Sequence, residues 1–135
     1  VERIVSEAVL RFGQIDTWIN AAAALIVGEL HCQPVDQIEK LIATNVLGTT
    51  LASRAAMIHF RSRGAGVLIN MSSLLGVVPN PIVPTYSMSK FAVRGLTLSL
   101  HQSMNLRNLH HHFFWRPIGL FAWFAILTKS GTLTF

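Results

Sequence analysis

Ile4, Val5, Ala8, Val9 and Phe12 recur at helical spacing with Gly13 behind them, which predicts an amphipathic helix closed by a glycine. Asp16-Thr-Trp-Ile-Asn20 is a short apolar run with β-formers, the length of a buried strand, and residues 21–24 make a small-residue loop. Pro34 precedes a helical pattern over residues 35–60, in which Ile38, Leu41, Ile42, Asn45, Thr49, Ala52 and Ala56 share one face. Arg61-Ser-Arg-Gly64 ends it, and Gly66-Val-Leu-Ile-Asn-Met71 reads as a second buried strand. Ser72 to Pro84 is a loop with three prolines. From Thr85 to about Arg107 a further helix is expected, apolar or small on nearly every side. Such a helix is packed on two faces, by a sheet and by another helix.

Helix, strand, helix, strand, helix with near-continuous hydrophobic strands is an α/β pattern built on a parallel sheet. It holds over residues 1–107, read as one partial domain, with 108–135 as a divergent tail. In that tail His110-His-His-Phe-Phe-Trp115 would make a third strand, although three histidines fill a buried strand poorly. Residues 118–127 are apolar but shorter than the ~20 residues a spanning helix needs. Arg116 and Pro117 block their extension, so no membrane is expected as a partner.

Composition narrows the class. The chain is 51% hydrophobic and 13% charged, against roughly 25% charged in ordinary domains, which excludes disorder. Its 135 residues allow one domain or a piece of one. A single Cys32 excludes a disulfide framework and a Cys-rich zinc site, and fits a reducing, cytoplasmic setting. The net charge of +5 is uneven: residues 1–39 hold all six acids beside Arg3 and Arg11, and residues 40–135 hold nine Lys/Arg and no acid. A basic half can signal nucleic acid. These cations are scattered, with only Arg61 and Arg63 close together and no aromatic interleaved, so no nucleic-acid partner is expected. His110–His112 has no carboxylate or cysteine nearby, and no metal site is expected. The chain opens at Val1 inside a helical pattern, without a signal peptide, as if its beginning lay elsewhere.

Four polar residues stand out by position. Tyr86 and Lys90 are one helical turn apart on one face. Ser73 lies just past a strand end, where open α/β sheets place ligand-binding residues. Asn45 lies on the apolar face of the long helix, where a buried amide must find partners. A free tyrosine titrates near pH ~10, and a nearby ammonium favours the phenolate. Paired with Lys90, Tyr86 could then exchange a proton with an alcohol or carbonyl oxygen. Ser73 would donate a hydrogen bond to that oxygen, and Asn45 would hold a water leading from Lys90 to solvent. Each residue alone has a plainer reading, as helix surface pair, turn residue or packing amide.

The surrounding string is more specific. Gly66-Val-Leu-Ile-Asn-Met-Ser-Ser73, Gly76, and Pro84-Thr-Tyr86-Ser-Met-Ser-Lys90-Phe-Ala-Val-Arg-Gly95 resemble the short-chain dehydrogenase/reductase family, with Tyr86 thirteen residues after Ser73 as in that family. Upstream, Asn20-Ala-Ala-Ala resembles its N-N-A-G strand end, and Asn45-Val-Leu-Gly48 its N-V-x-G helix motif. The resemblance implies a partial doubly wound, Rossmann-like parallel sheet. It also implies hydride transfer between NAD or NADP and a small-molecule alcohol or carbonyl substrate. By motif position Tyr86 would be the general acid/base, and Lys90 would assist it and hold the nicotinamide ribose. Ser73 would orient the substrate oxygen, and Asn45 would keep the relay water. Asn20, Ala21 and Ala22 would lie at the sheet end beneath the adenosine side of the cofactor. Full-length relatives would be homo-oligomers, joined through the long helix and the Tyr/Lys helix.

Departures from the family shape the expectation. No T-G-x-x-x-G-x-G pattern, which cradles the pyrophosphate at a helix N-terminus, occurs in the sequence. The N-terminal strands and the C-terminal strand are expected to be missing or altered. Ala21 and Ala23 stand where the family has Asn and Gly. Pro117-Ile-Gly119 stands where it has Pro-Gly, with Ala122 at the slot of a threonine. The expectation is a short-chain oxidoreductase fragment inactive by itself. The alternative is a non-catalytic remnant that acts only through association of its helices.

Overall fold

The computed structural model describes residues 1–105, 112–118 and 122–128, with side chains through residue 103. The three helices and two strands expected over residues 1–107 form, the last helix being described as far as Asn105. Helix α1 spans Glu2–Phe12 and stops where Gly13 adopts φ 80°, a left-handed conformation open to glycine, while its N–H still bonds to Val9 O. Strand β1, Thr17–Asn20, runs parallel to β2, Val67–Asn70, with Thr17 opposite Val67 and Asn20 opposite Asn70. Parallel neighbours need a crossover, and the long helix supplies it.

That helix is continuous but not uniform. It begins as α2 (Val35–Ile42), passes through a π-helical stretch at Ala43–Gly48, and continues as α3 (Thr49–Arg63). The wider turn slips the phase of the buried face. Leu41, Asn45, Thr49 and Ser53 are buried at four-residue intervals, so Ser53 takes the inward position that periodicity gave to Ala52. By length and composition this helix is apolar enough to cross a membrane. Its buried polar side chains nonetheless bond to the loop and sheet beside it, which places it in the core of this fold.

Ala56 and Phe60 of α3 pack on Leu68 of β2, with Ile15, Trp18, Met57 and Leu100 closing around them. The α3 end is tied to the turn before β1 by Arg63, which donates to Ile15 O at 2.7 Å, and by His59 Nε2, which accepts from Ile15 N at 3.2 Å. Helix α4, Pro84–Asn105, covers the sheet beside α3. Two further strands, β3 (His112–Ile118) and β4 (Ala122–Thr128), pair antiparallel, with His112 opposite Thr128. Of the expected third strand, the described residues 112–115 lie in β3, paired antiparallel with β4. Arg107, His110, His111 and Gly119, on which other expectations rested, lie outside the described residues.

Candidate active site

The C-terminal ends of β1 and β2 open toward the first turns of α4, and most candidate residues gather there. Lys90 is 3% exposed, and its Nζ donates to Met71 O, just past β2, at 2.8 Å. The same nitrogen lies 5.4 Å from the ring centroid of half-buried Tyr86, within cation–π range. Burial pushes the Lys90 ammonium below the ordinary lysine value of 10.5. Its hydrogen-bond partner Met71 O is a carbonyl, and none of the ion pairs among the described residues includes Lys90.

Ser73 is buried, and its Oγ accepts from Leu75 N at 3.2 Å, capping a 3₁₀ turn at Leu74–Gly76. Accepting that bond leaves the hydroxyl proton available to a substrate oxygen.

Asn45 sits in the π-helical stretch, 1% exposed. Its Oδ1 accepts from Ala24 N at 2.7 Å, and its Nδ2 donates to Ala24 O at 2.9 Å and to Ser89 Oγ at 3.0 Å. The Ala24 amide fixes which side-chain atom is oxygen. Both donors are engaged within the protein, so a relay water would have to donate to the second lone pair of Oδ1. Ser89 in turn donates to Tyr86 O at 2.7 Å, joining Asn45 to the turn that carries Tyr86 and Lys90.

The cofactor-side residues divide. Ala21 and Ala22 are exposed at the end of β1. Asn20 turns into the protein: its Nδ2 donates to Asn70 Oδ1 at 2.7 Å and to Ser53 Oγ at 3.0 Å, while Trp18 Nε1 donates to its Oδ1 at 2.8 Å. Asn70 Nδ2 carries the chain on to Thr97 Oγ1 of α4 at 3.0 Å. Asn20 is thus a brace between strands and helices. A cleft of about 390 Å³ lies elsewhere, between α1 and α3, and none of the candidate residues lines it.

Sequence reasoning assigned no role to Ser89, Ser53, Thr97 or the Gln33–Thr85 pair. Gln33 Nε2 donates to Gly28 O at 2.7 Å, and Gln33 Oε1 accepts from Thr85 Oγ1 at 2.6 Å, pinning the loop after β1 to the start of α4. The available signal was the run of small polar residues at 85, 87 and 89, on a helix expected to be packed on two faces.

A short parallel sheet covered by helices matches the fold that the motifs implied. The chain belongs to the short-chain dehydrogenase family, whose model matches residues 1–111, slightly past the expected boundary at 107. It is 37% identical over 105 residues to YxnA, an uncharacterized oxidoreductase of Bacillus subtilis, covering 77% of this chain and 30% of that protein. It is also 37% identical over 103 residues to the 2-(R)-hydroxypropyl-CoM dehydrogenase of Xanthobacter autotrophicus, covering 74% of this chain and 41% of that one. Among solved structures, ElxO with NADP bound superposes with a TM-score of 0.74 at 29% identity, over 78% of this chain and 43% of that one. The chain therefore spans less than half the length of these relatives.

Proposed function

We propose that this chain carries the proton-transfer half of an NAD(P)-dependent oxidoreductase acting on a small alcohol or carbonyl compound. The observation that carries this reading is the placement of Lys90 Nζ, held on Met71 O and 5.4 Å from the Tyr86 ring. In this reading Tyr86 exchanges a proton with the substrate oxygen, and the Lys90 ammonium steadies the charge that develops there. Ser73 donates its free hydroxyl proton to the same oxygen. Asn45 ties the site to the loop at Ala24.

The residues present fit the nicotinamide side of a dinucleotide. An ammonium has three N–H donors, and Met71 O takes one of those on Lys90, which leaves donors for ribose hydroxyls. When bound, the nicotinamide supplies or accepts the hydride. NADP in ElxO and family membership support this class of cofactor. The exposed Ala21 and Ala22 would border its adenosine side. No Gly-rich phosphate cradle occurs in these 135 residues, so the chain alone is expected to show no turnover, because the nicotinamide would not be held against Tyr86. A cytoplasmic location remains part of this reading, resting on the lone Cys32.

The test is a chimera in which residues 1–107 replace the matching stretch of the Xanthobacter relative, assayed with that enzyme's own substrate. Turnover is expected, and Tyr86→Phe should lower it by about 100-fold or more. A folded chimera that binds NAD(P)H and has no Tyr86-dependent turnover would overturn the proposal.

A second reading, association without catalysis, is favoured by one observation. Leu51 and Ile58 on α3 and Phe91 and Leu98 on α4 are 39–56% exposed.

A further inference from the structure

Two consecutive serines follow β2, and the structure gives them different work. Ser73 caps its own turn. Ser72 reaches across to α4, where its Oγ donates to the Lys90 carbonyl oxygen at 3.1 Å. The residue before it, Met71, accepts from the other end of the same lysine, Nζ to O at 2.8 Å. Lys90 is thus held at its root and at its tip by neighbouring residues of one strand end. The Ser72 bond fixes the backbone from which the flexible lysine stem springs, and the Met71 bond fixes its head.

Gly76 completes the arrangement. A Cβ built on it would lie 2.7 Å from Ser72 Oγ and 2.8 Å from Lys90 O, the two partners of the root hydrogen bond. The bond forms in a space that only glycine leaves open. Because Lys90 O belongs to a helix backbone, it cannot give way cheaply.

We propose that Ser72 is a positioning residue for Lys90, acting with Met71 O and with the space left by Gly76 to set the lysine head beside Tyr86. This rests on the reading of Lys90 as part of the proton-transfer site, but its test uses neither cofactor nor turnover. The chain has three lysines, Lys40, Lys90 and Lys129, so lysine Cε resonances of the labelled 135-residue protein can be followed individually against pH. Ser72→Ala should loosen the hold, admit water to the ammonium and move the Lys90 midpoint up by about half a pH unit or more, with Lys40 unmoved. Gly76→Ala, which wedges the same bond from the other side, should move it in the same direction. Ser72→Thr, which keeps the hydroxyl, should restore the wild-type midpoint.

Folded Ser72→Ala and Gly76→Ala proteins with an unmoved Lys90 midpoint would overturn the proposal, as would Ser72→Thr behaving like Ser72→Ala. Should either variant fail to fold, the wild-type protein still decides. The Met71 carbonyl carbon must titrate with the Lys90 midpoint, and a carbonyl shift flat across that range refutes the hold. Failure of the enzymatic reading would appear separately, in the chimera.

Discussion

At the scale of single residues, Lys90 is the most consequential. It is a buried cation whose proton is held less tightly folded than unfolded. Below its folded value the lysine is charged in both states, and the cost of burying the ammonium is fully present. Between that value and 10.5 the unfolded chain binds more protons, so stability should rise as pH climbs through this window. Urea midpoints measured across alkaline pH should therefore rise more steeply in the wild type than in Lys90→Met, which has no ammonium to bury. Parallel pH profiles would show that Lys90 is not buried as a charge. The motif spacing made Lys90 legible as a candidate. Its partner Met71 O was not legible, because a backbone carbonyl has no signature in sequence.

At the scale of elements, polar bonds hold the layers in register. Asn70, at the end of β2, accepts from Asn20 of β1 and from Ser53 of α3, and donates to Thr97 of α4. One side chain thus joins four elements. Asn70→Ala would leave the Ser53 hydroxyl and one lone pair of Thr97 without their buried partner, an expected loss of about 2–3 kcal/mol by chemical denaturation. A loss no larger than that of a typical surface substitution, about 0.5 kcal/mol, would mean that water replaces it. The π-helical stretch at Ala43–Gly48 belongs to the same scale: it brings both Asn45 and Ser53 to the inner face. Helical periodicity with 3.6 residues per turn found Asn45 and missed Ser53, because a local widening of the helix cannot be read from the spacing of apolar residues alone.

At the scale of the whole molecule, the described residues present apolar surface on the outer faces of α3 and α4. If those faces associate, the chain should sediment as a dimer or larger at micromolar concentration. Leu51→Lys combined with Phe91→Lys should return it to a monomer, since an unpaired ammonium in an apolar contact is costly. A wild-type monomer would remove the association reading and leave the proton-transfer reading untouched.

The sequence by itself determined the α/β pattern, the existence and order of three helices and two strands, and the motif spacing that singled out Asn45, Ser73, Tyr86 and Lys90 as candidates. Those follow from periodicity and from spacing within short segments, which are local properties. Tertiary structure alone decided which polar groups meet. Asn20 and Asn70 lie 50 residues apart, Gln33 and Thr85 lie 52 apart, and Asn45 and Ser89 lie 44 apart. Each of these bonds requires a buried donor to find a buried acceptor, a condition that only the packed layers impose. The same packing ties Asn20, at the end of β1, to Trp18, Ser53 and Asn70, and sets Ser72 against the Lys90 carbonyl.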